Sequence, residues 1–394
     1  MLFCGQLTGF FHIARMRVEL PEPSADVRAH SERVAAVIRD EIAAAGGALD
    51  FARYMELALY APGLGYYSAG ATKFGAAGDF VTAPELGSVF ARCLARAVVP
   101  ALGNGGDLRD HDIVELGPGT GALAVDLLRE LERLDVLPAR YRLLERSADL
   151  RERQRATIAQ HCAHLLDRVE WLDAPPSAPW RGVLIANEVI DSLPVRLFAL
   201  REDGVFVRKV AVDARDRFVW REQAADMMFA NALDHSLGEG IRTLPRPYCS
   251  EICTLLAPWI AEITHTLERG SAFLVDYGYA HGEYYHPQRS TGTLRCYYRH
   301  RAHDDPLILP GVQDMTASVD FDALTRAGAA AGLAVAAHST QAEFLIAHGL
   351  DEVFARAHAQ ARDEAARYAL AQQVKRLTLP SEMGERFRVM ELRR

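Results

Sequence analysis

Cysteine is scarce in this sequence: six in 394 residues, at positions 4, 93, 162, 249, 253 and 296, with no C-x-x-C pair. That spacing argues against a disulfide framework or a zinc knuckle, so a reducing compartment is expected and no metal is assigned. Cys249 and Cys253 are expected to share one helix face as core residues. Long apolar runs are absent too. No stretch of 18 apolar residues occurs, so no membrane span is expected. Positive charge is in deficit, with 44 Lys and Arg against 52 Asp and Glu and a net charge of -8. That excludes a broad electrostatic footprint for nucleic acid and mildly favours a basic protein substrate. Met1 to Arg17 lacks the basic-then-apolar order of a secretory signal, and Met16 is an alternative start. Heavy use of Ala and Arg points to a GC-rich bacterial genome.

The chain is organised around Ile113-Val114-Glu115-Leu116-Gly117-Pro118-Gly119-Thr120-Gly121. An apolar run reaching a carboxylate, then glycines at alternating positions, then an amphipathic segment reads as strand, tight turn and helix. Glycine lets the backbone take positive φ and lets a ligand approach the amides. Gly117, Gly119 and Ala122 also satisfy the dinucleotide fingerprint, which would imply a nicotinamide or flavin. An acid two places before the first glycine, here Glu115, is the usual form in enzymes that use S-adenosylmethionine. That cofactor carries no pyrophosphate to be held at a helix N-terminus.

Leu123 to Leu134 places five leucines on one face, a helix packed on a sheet. Arg140 to Glu145 is a second strand, and Glu145 at its end can accept from both ribose hydroxyls. Val169 to Asp173 is a third, with Asp173 positioned to accept from an adenine amino group and Trp171 either stacked on the ring or in the core. Gly182 to Glu188 is a central buried strand that leaves Asn187, Glu188 and Asp191 where a reacting group would lie.

Earlier in the chain, helices are expected over Ser31–Ala45, with Ser31 as N-cap, and from Asp50 to Pro62. Gly78 to Glu85, including Thr82, is either a lid over the cofactor or a turn capping the next helix. Later, antiparallel strands over Val195–Leu200, Val205–Val212 and Arg217–Trp220 and a long helix Glu251–Glu268 form an insertion. Ser271 to Gly278 resumes the parallel sheet, Val319 to Gly332 is a helix, and Ala334–Ser339 and Phe387–Leu392 are the last strands. The expected units are an irregular leader (1–25), an N-terminal helical and lid region (26–110), a core first part (111–190), an inserted substrate-side subdomain (191–270) and a core second part (271–394).

These blocks together resemble the MidA family, mitochondrial and bacterial proteins described as protein arginine methyltransferases that assist respiratory complex I assembly. The resemblance rests on Gly78 to Glu85, Val114 to Gly121, Asn187 to Pro194, Asp276-Tyr277-Gly278, Gly292 to Arg295, Asp314 to Phe321 and Glu382-Met383-Gly384. It implies an α/β class I methyltransferase fold, Rossmann-like, with a mostly parallel seven-stranded sheet. It also implies S-adenosylmethionine as donor and dimethylation of an arginine in the 49 kDa-type complex I subunit. Carried over by position, Gly117, Pro118, Gly119 and Gly121 hold the cofactor and the Asn187 block faces the acceptor. The expected compartment is the cytoplasm of a bacterium, or the mitochondrial matrix of a eukaryote.

A guanidinium is protonated at neutral pH, and carboxylates bind its planar fork bidentately. Glu188 and Asp191 are the candidates for that role and for taking the proton released on transfer. Asp191 also suits a helix N-cap. His281, His286, His300 and His303 share a polar region but read as solvated loop residues. A rival of another class is an assembly scaffold that keeps the cofactor site without turnover.

Overall fold

The computed structural model describes residues 20–69, 82–103 and 110–394. We label the strands of the central sheet in chain order: β1 (Asp112–Leu116), β2 (Arg140–Leu144), β3 (Val169–Leu172), β4 (Trp180–Asn187), β5 (Leu267–Tyr279), β6 (Ala334–Thr340) and β7 (Phe387–Arg393). Across the sheet they run 6-7-5-4-1-2-3, and β7 is antiparallel to both its neighbours. The pairs 5-4, 4-1, 1-2 and 2-3 are parallel. A two-residue strand, Val319–Asp320, adds to the end of β5 as an eighth.

Alternation along each strand divides the core between the two faces. Ile113, Val183, Ile185, Phe273 and Val275 pack under helices Val89–Gly103 and Ala122–Arg133. Val114, Leu184, Ala186, Ala272 and Leu274 pack under Leu256–Thr264 and Phe321–Ala330. Helices on both faces bury the central strands completely, which is why those strands read as unbroken apolar runs. Strand order reverses at β1, between β4 and β2, and opens a crevice beyond the carboxyl ends of these strands.

A second, antiparallel sheet joins Arg196–Arg201, Gly204–Val212, Phe218–Ala224 and Tyr248–Ile252 with the short strand Leu49–Asp50. The helices Ala25–Ala44 and Phe51–Tyr60 bury Val34, Ile38, Phe51, Tyr54 and Met55 against Leu197 and Val210 of this sheet and Val195 just before it. The N-terminal helices and the segment after β4 therefore share one core. Among the described residues no helix is long and apolar enough to cross a membrane.

Several local expectations are corrected. The first helix starts at Ala25, capped by Ser24, and Ser31 is buried inside it. The expected helix Glu251–Glu268 is instead strand Tyr248–Ile252, helix Leu256–Thr264 and the start of β5. Pro258 is the reason. In a helix through 251–268 it would sit mid-helix without an N–H to donate, whereas in Leu256–Thr264 it falls in the first turn, where that N–H is not needed. Cys249 thus lies on a strand and Cys253 beyond it, not on one helix face. The helix expected from Val319 starts at Phe321, because Asp320 caps it through the N–H groups of Asp322 and Ala323. Helix Met227–Leu237, unanticipated in the sequence, covers the second sheet.

Candidate active site

The glycine turn stands at the crevice. Gly117, Gly119 and Gly121 have φ of +59°, +53° and +83°, which L side chains rarely adopt. Their surroundings differ. A Cβ on Gly117 would lie 2.9 Å from Val189 Cγ2, whereas one on Gly119 would meet no described atom within 4 Å. Gly119 is the open side of the turn. Gly121 precedes helix Ala122–Arg133, which has no side-chain cap, and its N–H donates to Pro118 O at 2.8 Å. Glu115, one residue before the end of β1, is buried and accepts from the Tyr141 hydroxyl at 2.6 Å. Burial pushes its carboxyl up to about 7, against the pull of that hydrogen bond.

Next to the turn, Glu145 follows β2. Its Oε1 accepts from Ser147 N–H at 2.8 Å and its Oε2 from Gln154 Nε2 at 3.2 Å. Burial raises its pKa. Gln154 is fully buried, also donates to Gly119 O at 2.9 Å, and accepts from Trp171 Nε1 at 2.9 Å. The Arg155 guanidinium lies 4.4 Å from the Trp171 ring centre. Asp173 points outward, 85% exposed, and is ion-paired with Arg151. An open recess of about 600 Å³ runs along the free edge of β3, lined by Arg151, Arg155 and Trp171 among others.

Gly78 lies outside the described residues. Thr82 opens a short 3-10 turn, Ala83–Leu86, that spans the crevice. Glu85 Oε1 accepts from Thr120 Oγ1 of the glycine turn at 2.6 Å, and Ala83 N–H donates to Glu188 Oε1 at 3.3 Å. This segment therefore ties the glycine turn to the end of β4. Asn187 Nδ2 donates to Glu188 Oε1 at 3.2 Å, while Asn187 Oδ1 is buried with no hydrogen-bond partner among the described residues. Glu188 itself has φ +54°, a conformation non-glycine residues adopt at some cost in strain and one enriched at functional sites.

Beyond Glu188 the carboxylates crowd together. Asp191 is buried, and its backbone N–H and that of Ile190 donate to Asp276 Oδ2 at 3.1 and 3.0 Å. Burial, then Asp191, pushes Glu188 up to about 8. Burial, then Glu188, pushes Asp276 up to about 8. Asp191 is raised well above the usual range by burial, then Asp276 and Asp314. None of Glu188, Asp191 and Asp276 forms an ion pair among the described residues. Tyrosines border the group. Tyr67 donates to Asp314 Oδ1 at 2.8 Å and Tyr60 to Ser192 Oγ at 2.7 Å, with their rings stacked at 5.4 Å. His281 is held by Asp320 at 2.7 Å, His286 Nδ1 accepts from Gln288 N–H, and His303, expected to be solvated, is buried on the strand Arg301–His303 with its Nδ1 accepting from Asp305 N–H.

Sequence reasoning brought Glu188 and Asp191 to one place but missed Gln154, Asp276, Asp314, Tyr60 and Tyr67. Gln154 had a signal: Leu150, Gln154, Ile158 and Cys162 form a buried stripe at four-residue spacing, in which one amide stands out. Asp276 and Asp314 lie in two of the quoted blocks without a role being given to them.

The strand order 6-7-5-4-1-2-3 with β7 reversed, and a left-handed glycine turn at the switch point, define an α/β enzyme of the class I methyltransferase type. Comparison makes this specific. The family model described as "Putative S-adenosyl-L-methionine-dependent methyltransferase" matches residues 93–339, and the chain belongs to that family. A solved superfamily member from Burkholderia thailandensis, bound to S-adenosyl-homocysteine, is 41% identical over 95% of each chain with a TM-score of 0.89. The mouse protein arginine methyltransferase NDUFAF7, mitochondrial, is 31% identical over 88% of this chain and 81% of its own length. The zebrafish protein of the same name is 30% identical over 87% and 83%.

Proposed function

We propose that this chain transfers a methyl group from S-adenosylmethionine to an arginine side chain of a protein, with a complex I subunit of the 49 kDa type as acceptor. The observation that carries the reading is the buried group Glu188, Asp191 and Asp276, which has no cationic partner among the described residues. Such a group favours a cationic ligand, because a guanidinium would offset the burial and the mutual repulsion that together raise all three carboxyls. The names of the mouse and zebrafish relatives agree with arginine.

The residues fit the cofactor. Gly119 leaves open space over the turn formed with Gly117, Pro118 and Gly121. Glu145 keeps acceptor capacity for a ribose diol, and the unpartnered Asn187 Oδ1 offers an acceptor at the end of β4. Glu115 and Thr82 complete the assignment as residues around the cofactor, whereas Asp173, 85% exposed and engaged by Arg151, is left out of it. When bound, the sulfonium supplies an electrophilic methyl carbon. The protein's part is alignment and proton removal. Glu188 and Asp191 hold the guanidinium so that one nitrogen lone pair forms the C–N bond as the C–S electrons return to sulfur. The proton lost from that nitrogen passes to Glu188. Helices Ala25–Ala44 and Phe51–Tyr60 with the second sheet form the acceptor side, while helices Val89–Gly103 and Leu256–Thr264, although they fall within 26–110 and 191–270, pack on the central sheet and belong to the core. The compartment is the cytoplasm in a bacterial cell or, as the relatives' names state for them, the mitochondrion in a eukaryotic one.

Purified protein and labelled S-adenosylmethionine, added to an extract of cells lacking the enzyme, should label one protein on arginine, and Glu188→Gln should abolish the label. Binding of S-adenosyl-homocysteine with no label in any fraction would overturn the reading and leave an assembly scaffold. A melting shift with NAD alone would overturn the cofactor assignment.

A further inference from the structure

We infer that Gln154 is a positioning residue that locks the ribose-binding carboxylate to the glycine turn; this rests on the reading of Glu145 as the ribose acceptor. Gln154 comes from helix Ala148–Cys162, outside every glycine-turn and strand-end motif. It is fully buried, and its amide meets all three strands on one side of the crevice. It donates to Gly119 O after β1 and Glu145 Oε2 after β2, and accepts from Trp171 Nε1 on β3. Its orientation is decided by chemistry. An indole N–H only donates and a peptide carbonyl only accepts, so Oε1 faces Trp171 and Nε2 faces Gly119.

The consequence lies at Glu145. A carboxylate has about four lone-pair sites; the Ser147 N–H takes one on Oε1, Gln154 Nε2 takes one on Oε2, and the Arg146 N–H also acts on the group. That fixes the plane of the carboxylate and leaves acceptor capacity that a vicinal diol can use. The same Nε2 holds the carbonyl of Gly119, the residue whose open side faces the crevice. The distance between the acceptor for the ribose and the backbone of the glycine turn is therefore set by one side chain. Without it, each half of the site remains, but the two are no longer held in register.

The test compares S-adenosyl-homocysteine with its 2′-deoxyribose analogue, by calorimetry, on the whole chain and on Gln154→Leu and Gln154→Glu. In the unsubstituted protein, loss of the 2′-hydroxyl should weaken binding by about 10- to 100-fold, as expected for a hydrogen bond to a charged group. In Gln154→Leu, S-adenosyl-homocysteine should bind at least about 10-fold more weakly, and the penalty for the missing hydroxyl should fall below about 3-fold. Gln154→Glu keeps an acceptor for Trp171 and places a second carboxylate beside Glu145. Its binding should be poor at pH 8 and recover in part towards pH 5.5, where the two carboxyls share a proton and the introduced carboxyl can donate to Glu145, leaving Gly119 O without its donor. Equal weakening of both ligands in both variants, with no recovery at low pH, would reduce Gln154 to a packing role and overturn the inference. If the unsubstituted protein bound both ligands alike, the ribose reading of Glu145 would fail instead. Should Gln154→Leu not fold, the pH profile of Gln154→Glu decides alone.

Discussion

Asp276 anchors Asp191: the backbone N–H of Asp191 donates to Asp276 Oδ2 at 3.1 Å, so the carboxylate on β5 shapes the turn that follows β4. A second bond from Ile190 N–H at 3.0 Å meets the same oxygen. Two acids whose charges repel are thus joined through one acid's backbone. Asp276→Ala should unbond both amides in a buried setting and destabilise the protein by about 3 kcal/mol. Asp276→Asn keeps an acceptor oxygen and should lose less than about 1 kcal/mol. Urea unfolding of both variants at pH 7 checks this, and equal losses would mean that the bonds to the turn do not matter.

Stability should decline as pH rises from about 4.5 to about 8. Glu188 and Asp276 are pushed up to about 8 and Glu115 to about 7, all above their unfolded values, chiefly by burial. The folded chain therefore holds more protons than the unfolded chain across that window. Stability from these groups is complete below their unfolded pKa values and is lost as pH climbs through the folded ones. Melting temperatures at pH 5.5, 7 and 8.5 report it, and Glu188→Gln should flatten the slope. Acceptor binding has the opposite sign, since a guanidinium needs ionised carboxylates, so kcat/KM for the acceptor should rise towards pH 8.

Glu188→Gln retains the oxygen that accepts from Ala83 N–H and loses only the charge. Methyl transfer should drop by about 100-fold or more, while S-adenosyl-homocysteine affinity changes by less than about 3-fold. Single-turnover transfer together with calorimetry separates the two effects. A matching fall in cofactor affinity would place Glu188 on the wrong side of the site.

Two glycines should fail differently. Gly119→Ala meets open space, so only the φ of +53° opposes it, at about 1 kcal/mol, but its methyl group would occupy the ligand's approach. The protein should fold and bind S-adenosyl-homocysteine poorly. Gly292→Ala would put a Cβ 2.1 Å from Glu251 Oε2, a buried carboxylate that also accepts from Thr293 N–H at 2.7 Å. It should destabilise the fold by about 3 kcal/mol and alter cofactor affinity little once folded. Melting and titration of both variants decide it.

The Gly292-to-Arg295 block shows what a sequence conveys and what it withholds. It stands in the sequence only as part of the family resemblance, and its purpose was visible only once Glu251, from the strand Tyr248–Ile252, was found against Gly292 and Thr293. Likewise the helix Phe51–Tyr60 was legible from its apolar residues between Asp50 and Pro62, but neither its cap by Asp50 nor the reach of its last residue to Ser192 was.

By itself the sequence determined the strand, turn and helix at Gly117 to Gly121, the buried parallel strands, and the placing of Glu145, Asn187 and Glu188 at strand ends. Those features follow from short-range causes: glycine's tolerance of positive φ, two-residue and 3.6-residue periodicity, and the chain direction within a parallel sheet. Only the tertiary structure decided that Asp276 and Asp314 join Glu188 and Asp191, that Gln154 ties three strand ends together, and that the N-terminal helices share a core with the segment after β4. Those meetings depend on strand register and packing between residues far apart in the chain, where a difference of one position turns a side chain to the opposite face.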